Sequence, residues 1–176
     1  MAATTTASVL KVARTANGYC LRVEGRGTMR ESRSAAEFVA RPLESPDTTV
    51  VVDLSGCDHL DSTFLGCLVE MQRRAGKASP GRFVVSAPPE KLRKLLGPTK
   101  LDAVLKTTGC APQVSSEYVP LPAADPASAD VVRHVMECHR LLAELGGPQQ
   151  AAFAAIADHL ERELGKDAKA AGKPAG

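Results

Sequence analysis

A chain of 176 residues has room for one ordinary domain and an appendage, and 44% hydrophobic with only 3% aromatic residues dictates a core of Val, Leu and Ala. A net charge of +2, with basic residues scattered in short clusters such as Arg73-Arg74 and Lys91 to Lys94, gives no phosphate-tracking stripe, and so few aromatics give no base-stacking platform, so no nucleic-acid partner is expected. Five cysteines without a CxxC pair, a start unlike a signal peptide and no run of roughly 18 apolar residues point to reduced thiols in the cytoplasm and no membrane association.

Alternation in Ser8 to Ala13 and in Tyr19 to Val23 predicts two strands, joined by Asn17-Gly18 as a tight hairpin. Ser32 or Ser34 can cap a helix through Ala35, Phe38 and Val39, which Pro42 and Pro46 interrupt. The β-branched run Thr48 to Leu54 predicts a central strand buried on both faces. A short loop, Ser55 to Leu60, then leads to Asp61, whose carboxylate suits the N-cap of a second helix, broken at Gly76 to Gly81. Arg82 to Ala87 predicts another buried strand, and Pro88-Pro89 opens an amphipathic helix ending near Gly97. Leu101 to Leu105 predicts a helical turn, and a last strand lies somewhere in Lys106 to Tyr118.

The segment VPLPAADPASA, residues 119–129, suits an extended linker. Beyond it Val131, Val132, Val135, Met136, Leu142 and Leu145 form one helical stripe, and Phe153, Ile156, Leu160 and Leu164 another. Gly146-Gly147-Pro148 separates them, which predicts a helical hairpin over 130–164. Residues 165–176 present no apolar face and are expected to be disordered. The fold class is α/β with a C-terminal helical hairpin.

The order of these elements, with DLSGCDHLDSTFLG at the central strand-to-helix turn, resembles the STAS domain of bacterial anti-sigma-factor antagonists over residues 7–118. The most specific part is Asp53-Leu54-Ser55-Gly56, then Asp61-Ser62-Thr63, then Leu65-Gly66; RFVVSAPPEKLRKLL and LDAVL add weaker support. The resemblance implies a mixed β-sheet with helices packed on it and a protein that is not an enzyme and needs no cofactor. It also implies that Ser62, with Thr63 a minor candidate, is phosphorylated by a partner that is both anti-sigma factor and Ser/Thr kinase. The unmodified protein would bind that partner through Asp61, Ser62, Thr63 and Gly66, phosphorylation would weaken the complex, and a PP2C-type phosphatase would restore it. The family usually has Gly where this chain has Phe64, reading DSTG or DSSG.

Residue chemistry agrees with that role, because Ser62 at the first helical position stands at the positive end of the macrodipole. A phosphate there adds a charge of about −1.5 to −2 and three acceptors, which a partner surface fitted to a neutral hydroxyl would repel. The plainer reading is that Asp61, Ser62 and Thr63 only cap and start a helix, and a second functional reading is a STAS scaffold or assembly module without sigma-factor control. Phe64 falls in line with Leu68, Met71 and Ala75 and is expected to face the core.

Other constellations are weaker. Asp58, His59, Asp61 and Ser62 hold the ingredients of a nucleophilic triad, but Leu60 and Phe64 occupy the places where a nucleophile elbow needs glycine. His134 and Cys138 stand four apart, with His139 adjacent and His159 on the second helix, so a two-helix metal site can be drawn; Cys138 is expected instead as a core thiol and the histidines as surface or partly buried, with no metal. Cys20, Cys57 and Cys67 are read as packing thiols, with Cys57 placed in a loop where it could meet oxidants. The hairpin's stripes are too short to stand alone, so it docks on the body or forms a homodimer with a second copy.

Overall fold

The computed structural model of the chain describes residues 9–78, 81–125 and 128–171. Strands β1 (Val9–Thr15) and β2 (Gly18–Gly27) form the expected antiparallel hairpin. Gly18 allows its close approach to the next strand, since a Cβ there would lie 1.9 Å from the Thr49 carbonyl oxygen. Helix α1 (Met29–Glu44) starts earlier than Ser32 or Ser34 would place it. Its N-cap is Thr28, in a capping box with Glu31, because Thr28 and Glu31 satisfy each other's end of the first turn. The helix also runs through Pro42 to Glu44: proline's fixed φ is itself helical, and what is lost is the one hydrogen bond that its missing N–H would give to the carbonyl four residues back.

Strand β3 (Thr49–Asp53) is the central strand, parallel to β2 on one side and to β5 (Phe83–Ser86) on the other. Between them come β4 (Cys57–Leu60) and α2 (Ser62–Ala78). The loop expected at Ser55 to Leu60 is thus largely a strand. It pairs with Gly25 to Gly27, the end of β2 that β3 leaves unpaired, across a register shift at Gly25. After β5 come α3 (Pro89–Leu96), two short 3₁₀ turns, β6 (Thr107–Thr108) and β7 (Val119–Leu121). The sheet order is β6-β5-β3-β2-β1-β7, with β4 on β2. Strand β7 lies inside the expected linker: its backbone pairs antiparallel with Leu10 to Val12 of β1, and Pro120 is tolerated because it sits at the sheet edge.

Helices α1 and α2 pack together against the sheet, and the hairpin of α4 (Ala129–Glu144) and α5 (Gln150–Ala171) forms an outer layer with α4 on α2 and α1. Helix α5 continues to Ala171, beyond the expected start of the tail, since Ala, Lys and Asp here extend a helix already seated on α4 and Lys166 pairs with Glu163 at 2.8 Å; residues 172–176 of that tail lie outside the described residues. The buried face of α5 contains Ala157, whereas Ile156 is 41% exposed, the small residue having taken the contact position. Cys138 and Leu142 of α4 belong to the same buried cluster as Leu21, Val52, Phe64 and Leu96 of the body. Among the described residues no helix is long and apolar enough to cross a membrane.

Candidate functional site

The site begins where β3 ends. The Asp53 carboxylate is fully buried and held by Arg22 Nε at 2.9 Å and by Ser55 through its backbone N–H at 2.9 Å and its hydroxyl at 2.6 Å. That ties the Asp-Leu-Ser-Gly turn to the sheet, and β4 then carries the chain back beside the start of α1. Asp61 closes the junction. Its Oδ1 accepts the Phe64 N–H at 2.9 Å, its Oδ2 accepts the Met29 N–H at 2.8 Å, and its own N–H donates to the Gly27 carbonyl at 3.0 Å. One carboxylate therefore caps the first turns of two helices.

Removing it is expected to cost about 2 kcal/mol of stability. Asp61→Asn should fall between wild type and Asp61→Ala, since an amide has one acceptor oxygen for two donors. Urea unfolding of the three proteins checks this, and an Asp61→Ala midpoint equal to wild type would show that neither cap stabilises the fold.

From that cap, α2 directs Thr63 and Phe64 inward, 3% and 0% exposed, and leaves Ser62 half-buried. Thr63 is thus a core-side residue, and neither its candidacy as a minor phosphoacceptor nor a partner contact fits that burial. Phe64 packs with Leu68, Met71 and Ala75, all buried, as its spacing predicts. The ring fills space over Gly27, where a Cβ would stand 3.2 Å from it.

Ser62, Gly66 and Glu70 recur at i, i+4 and i+8 and share one face of α2, and α4 covers that face. The Ser62 hydroxyl lies 2.9 Å from His139 Nε2. His139 Nδ1 donates to the Val135 carbonyl at 2.8 Å, so in the neutral ring Nε2 accepts and Ser62 donates. At Gly66 the helices touch backbone to backbone: a Cβ there would sit 2.4 Å from the Cys138 carbonyl oxygen. Arg73 and Glu144 add an ion pair at 2.7 Å, and the His139 ring meets Phe153 of α5 edge-on at 6.0 Å. Asp61, Ser62 and Gly66, chosen from sequence as contacts for an external partner, are brought together here, and two of them are engaged by the chain's own hairpin.

Sequence reasoning missed His139 as the partner of Ser62, since nothing local links residues 77 apart. It also read His134 and His139 as surface or partly buried positions, whereas both are buried, each made tolerable by a serine hydroxyl: Ser32 for His134 at 3.1 Å and Ser62 for His139. His59, the histidine of the sequence-level triad, is exposed on β4. The actual Ser62–His139 pair is oriented by a helix carbonyl instead of a carboxylate, so the third member of a hydrolytic triad is missing from it.

The thiols also sort differently from expectation. Cys57 is buried, because β4 turns it inward, and Cys110 is exposed. Cys67 and Cys138 meet across α2 and α4; burial drives the Cys67 thiol well up, whereas Cys138 is lowered to about 7, first by Cys67 and then, against burial, by His134. His159 is exposed on α5 and stands apart from this group.

Residues 10–106 match the family described as Mlab, STAS domain. Helices α4 and α5 lie beyond that match. A crystal structure of an anti-sigma factor antagonist from Mycobacterium paratuberculosis is similar in fold: 20% identity, 62% of this chain and 92% of that chain covered, TM-score 0.50. A candidate anti-sigma factor antagonist from Thermotoga maritima gives 21% identity, 56% and 84% coverage and a TM-score of 0.48. No curated protein matches the sequence significantly.

Proposed function

The chain belongs to the STAS domain family, and on that premise we propose that it is a cytoplasmic, non-enzymatic anti-sigma-factor antagonist switched at Ser62. In this reading the unmodified protein binds an anti-sigma factor with Ser/Thr kinase activity, phosphorylation of Ser62 by that partner releases it, and a PP2C-type phosphatase resets it. One observation carries the reading: Asp61 is fully occupied in capping while Ser62, at the first position of α2, turns its hydroxyl outward from the body. The likeness to the Mycobacterium paratuberculosis antagonist supports it.

The hairpin adds a condition. His139 uses the same hydroxyl that a kinase must reach, and the Cys138 backbone fills the space above Gly66. Partner and α4 therefore exclude one another, and the partner gains access to Ser62 when α4 lifts away. Because α4 has committed its apolar stripe to α2, a homodimer through the hairpin would rest on α5, with Ile156 exposed.

Incubation with ATP and lysate of the source cells, followed by peptide mass spectrometry, tests the switch. One phosphate is expected on Ser62, unchanged in Thr63→Ala and absent in Ser62→Ala. Phosphate at wild-type stoichiometry on Ser62→Ala would sink the assignment. A second reading, a STAS assembly module without sigma-factor control, is favoured by the bond that already occupies Ser62; it predicts no Ser62 phosphate in either the full chain or a chain lacking the hairpin.

A further inference from the structure

Glu70 on α2 and His134 and Cys138 on α4 each offer one donor atom, and these atoms lie within 4.8 Å of one another where the helices cross. Hydrogen bonding fixes which imidazole nitrogen is free. The Ser32 hydroxyl donates to the Met29 carbonyl at 3.0 Å, so it accepts from His134 Nε2 at 3.1 Å. The lone pair is left on Nδ1, 4.0 Å from the Cys138 sulfur, with the protonated Nε2 nearer to that sulfur at 3.6 Å. Sulfur and nitrogen bound to one tetrahedral zinc stand about 3.5 Å apart, so a side-chain adjustment of about half an ångström brings the pair to that spacing. A second ring nitrogen donating to a fixed acceptor is also the usual support of a metal-bound histidine.

Glu70 is divided in the same sense. Its Oε1 accepts from Arg74 at 2.9 Å, while Oε2 is buried with no hydrogen-bond partner among the described residues. A buried, unpaired carboxylate oxygen is rare in a native protein and calls for an explanation. Cys67, fully buried beside Cys138, donates its thiol proton to the Ser32 carbonyl at 3.2 Å and stands outside this group of three donors. An open groove lined by Arg33, Arg74, Arg133 and Glu137 reaches Glu70 and His134 from solvent, which supplies an entry path.

We propose that Glu70, His134 and Cys138 bind one zinc-class divalent ion that ties α4 to α2, with water as the fourth donor. Thiolate and imidazole donors select zinc or cobalt over magnesium and calcium, which take oxygen ligands. The site is independent of whether Ser62 is phosphorylated, and its test requires no kinase.

The full chain, reduced and stripped with chelator, is titrated with Co²⁺ under anaerobic conditions. One equivalent should give thiolate-to-cobalt charge-transfer absorption with the visible bands of a tetrahedral ion, and Zn²⁺ should displace it. Cys138→Ser and His134→Gln should abolish the signal, and Glu70→Gln should weaken binding by about tenfold or more. Cys110→Ser should leave it unchanged. Because His134→Gln can also loosen the helix contact, the near-isosteric Glu70→Gln and Cys138→Ser proteins decide the question. No charge-transfer band at stoichiometric cobalt, a band that survives Cys138→Ser, or a Cys67–Cys138 disulfide in place of bound metal after aerobic purification overturns the proposal.

Discussion

Phe64→Ala is expected to destabilise the protein by about 3–5 kcal/mol, the cost of emptying a fully buried aromatic position. The ring is 0% exposed and rests over Gly27 beside Leu60, at the place where β2, β4 and both capped helices converge, so little can collapse into the void. At about 2–4 °C per kcal/mol for a chain of this size, the melting temperature should fall by roughly 10 °C, measured by thermal denaturation followed by circular dichroism. Ser62 chemistry should persist in the folded fraction. An unchanged melting temperature with lost partner binding would make the ring a recognition element and overturn its assignment to the core.

Gly66→Ala should undock the hairpin while leaving the body folded. The added Cβ meets a backbone oxygen of α4 at 2.4 Å, which no side-chain rotation relieves, and alanine is the better helix former by about 1 kcal/mol, so α2 itself is not weakened. Hydrogen exchange of residues 129–144 should accelerate at least about tenfold, corresponding to a loss of about 1.4 kcal/mol of protection. If α4 is what guards Ser62, phosphorylation of Ser62 should accelerate with it. Unaltered protection of α4 would mean the helices slide past the new methyl group, and unaltered phosphorylation with α4 released would show that the hairpin does not gate the serine.

What was legible in the sequence was local. The apolar run of β3, the capping carboxylate of Asp61, the stripe from Phe64 to Ala75 and the Pro-started α3 all announce themselves within a few residues, because each obeys a single period or a single turn of capping geometry. The capping box of Thr28 and Glu31 is equally local, a Thr-x-x-Glu signature that begins four residues ahead of Ser32. By contrast β4 and β7 exist only because distant strands offer them free edges; CDHL and VPL carry no strand pattern of their own. The cover over Ser62 was hidden for the same reason. His134, Cys138 and His139 read as an ordinary amphipathic helix until α2 is set beside them, and a residue as small as Gly66 gives no sign in sequence that another backbone will touch it.

The pairing of β7 with β1 fixes one end of the connection to the hairpin, so residues 122–128 alone separate an anchored strand from α4. So short a tether holds α4 near α2 at an effective concentration in the millimolar range. Any external protein seeking the Ser62 face thus competes with a ligand that dilution cannot remove. Its apparent dissociation constant rises as the inverse of the open fraction, so once the closed form dominates it grows tenfold for every tenfold in the docking equilibrium. With α4 opening and closing rapidly, that deficit falls on the association rate alone: the full chain and a chain ending at Pro122 should capture the partner at different speeds and release it at the same one.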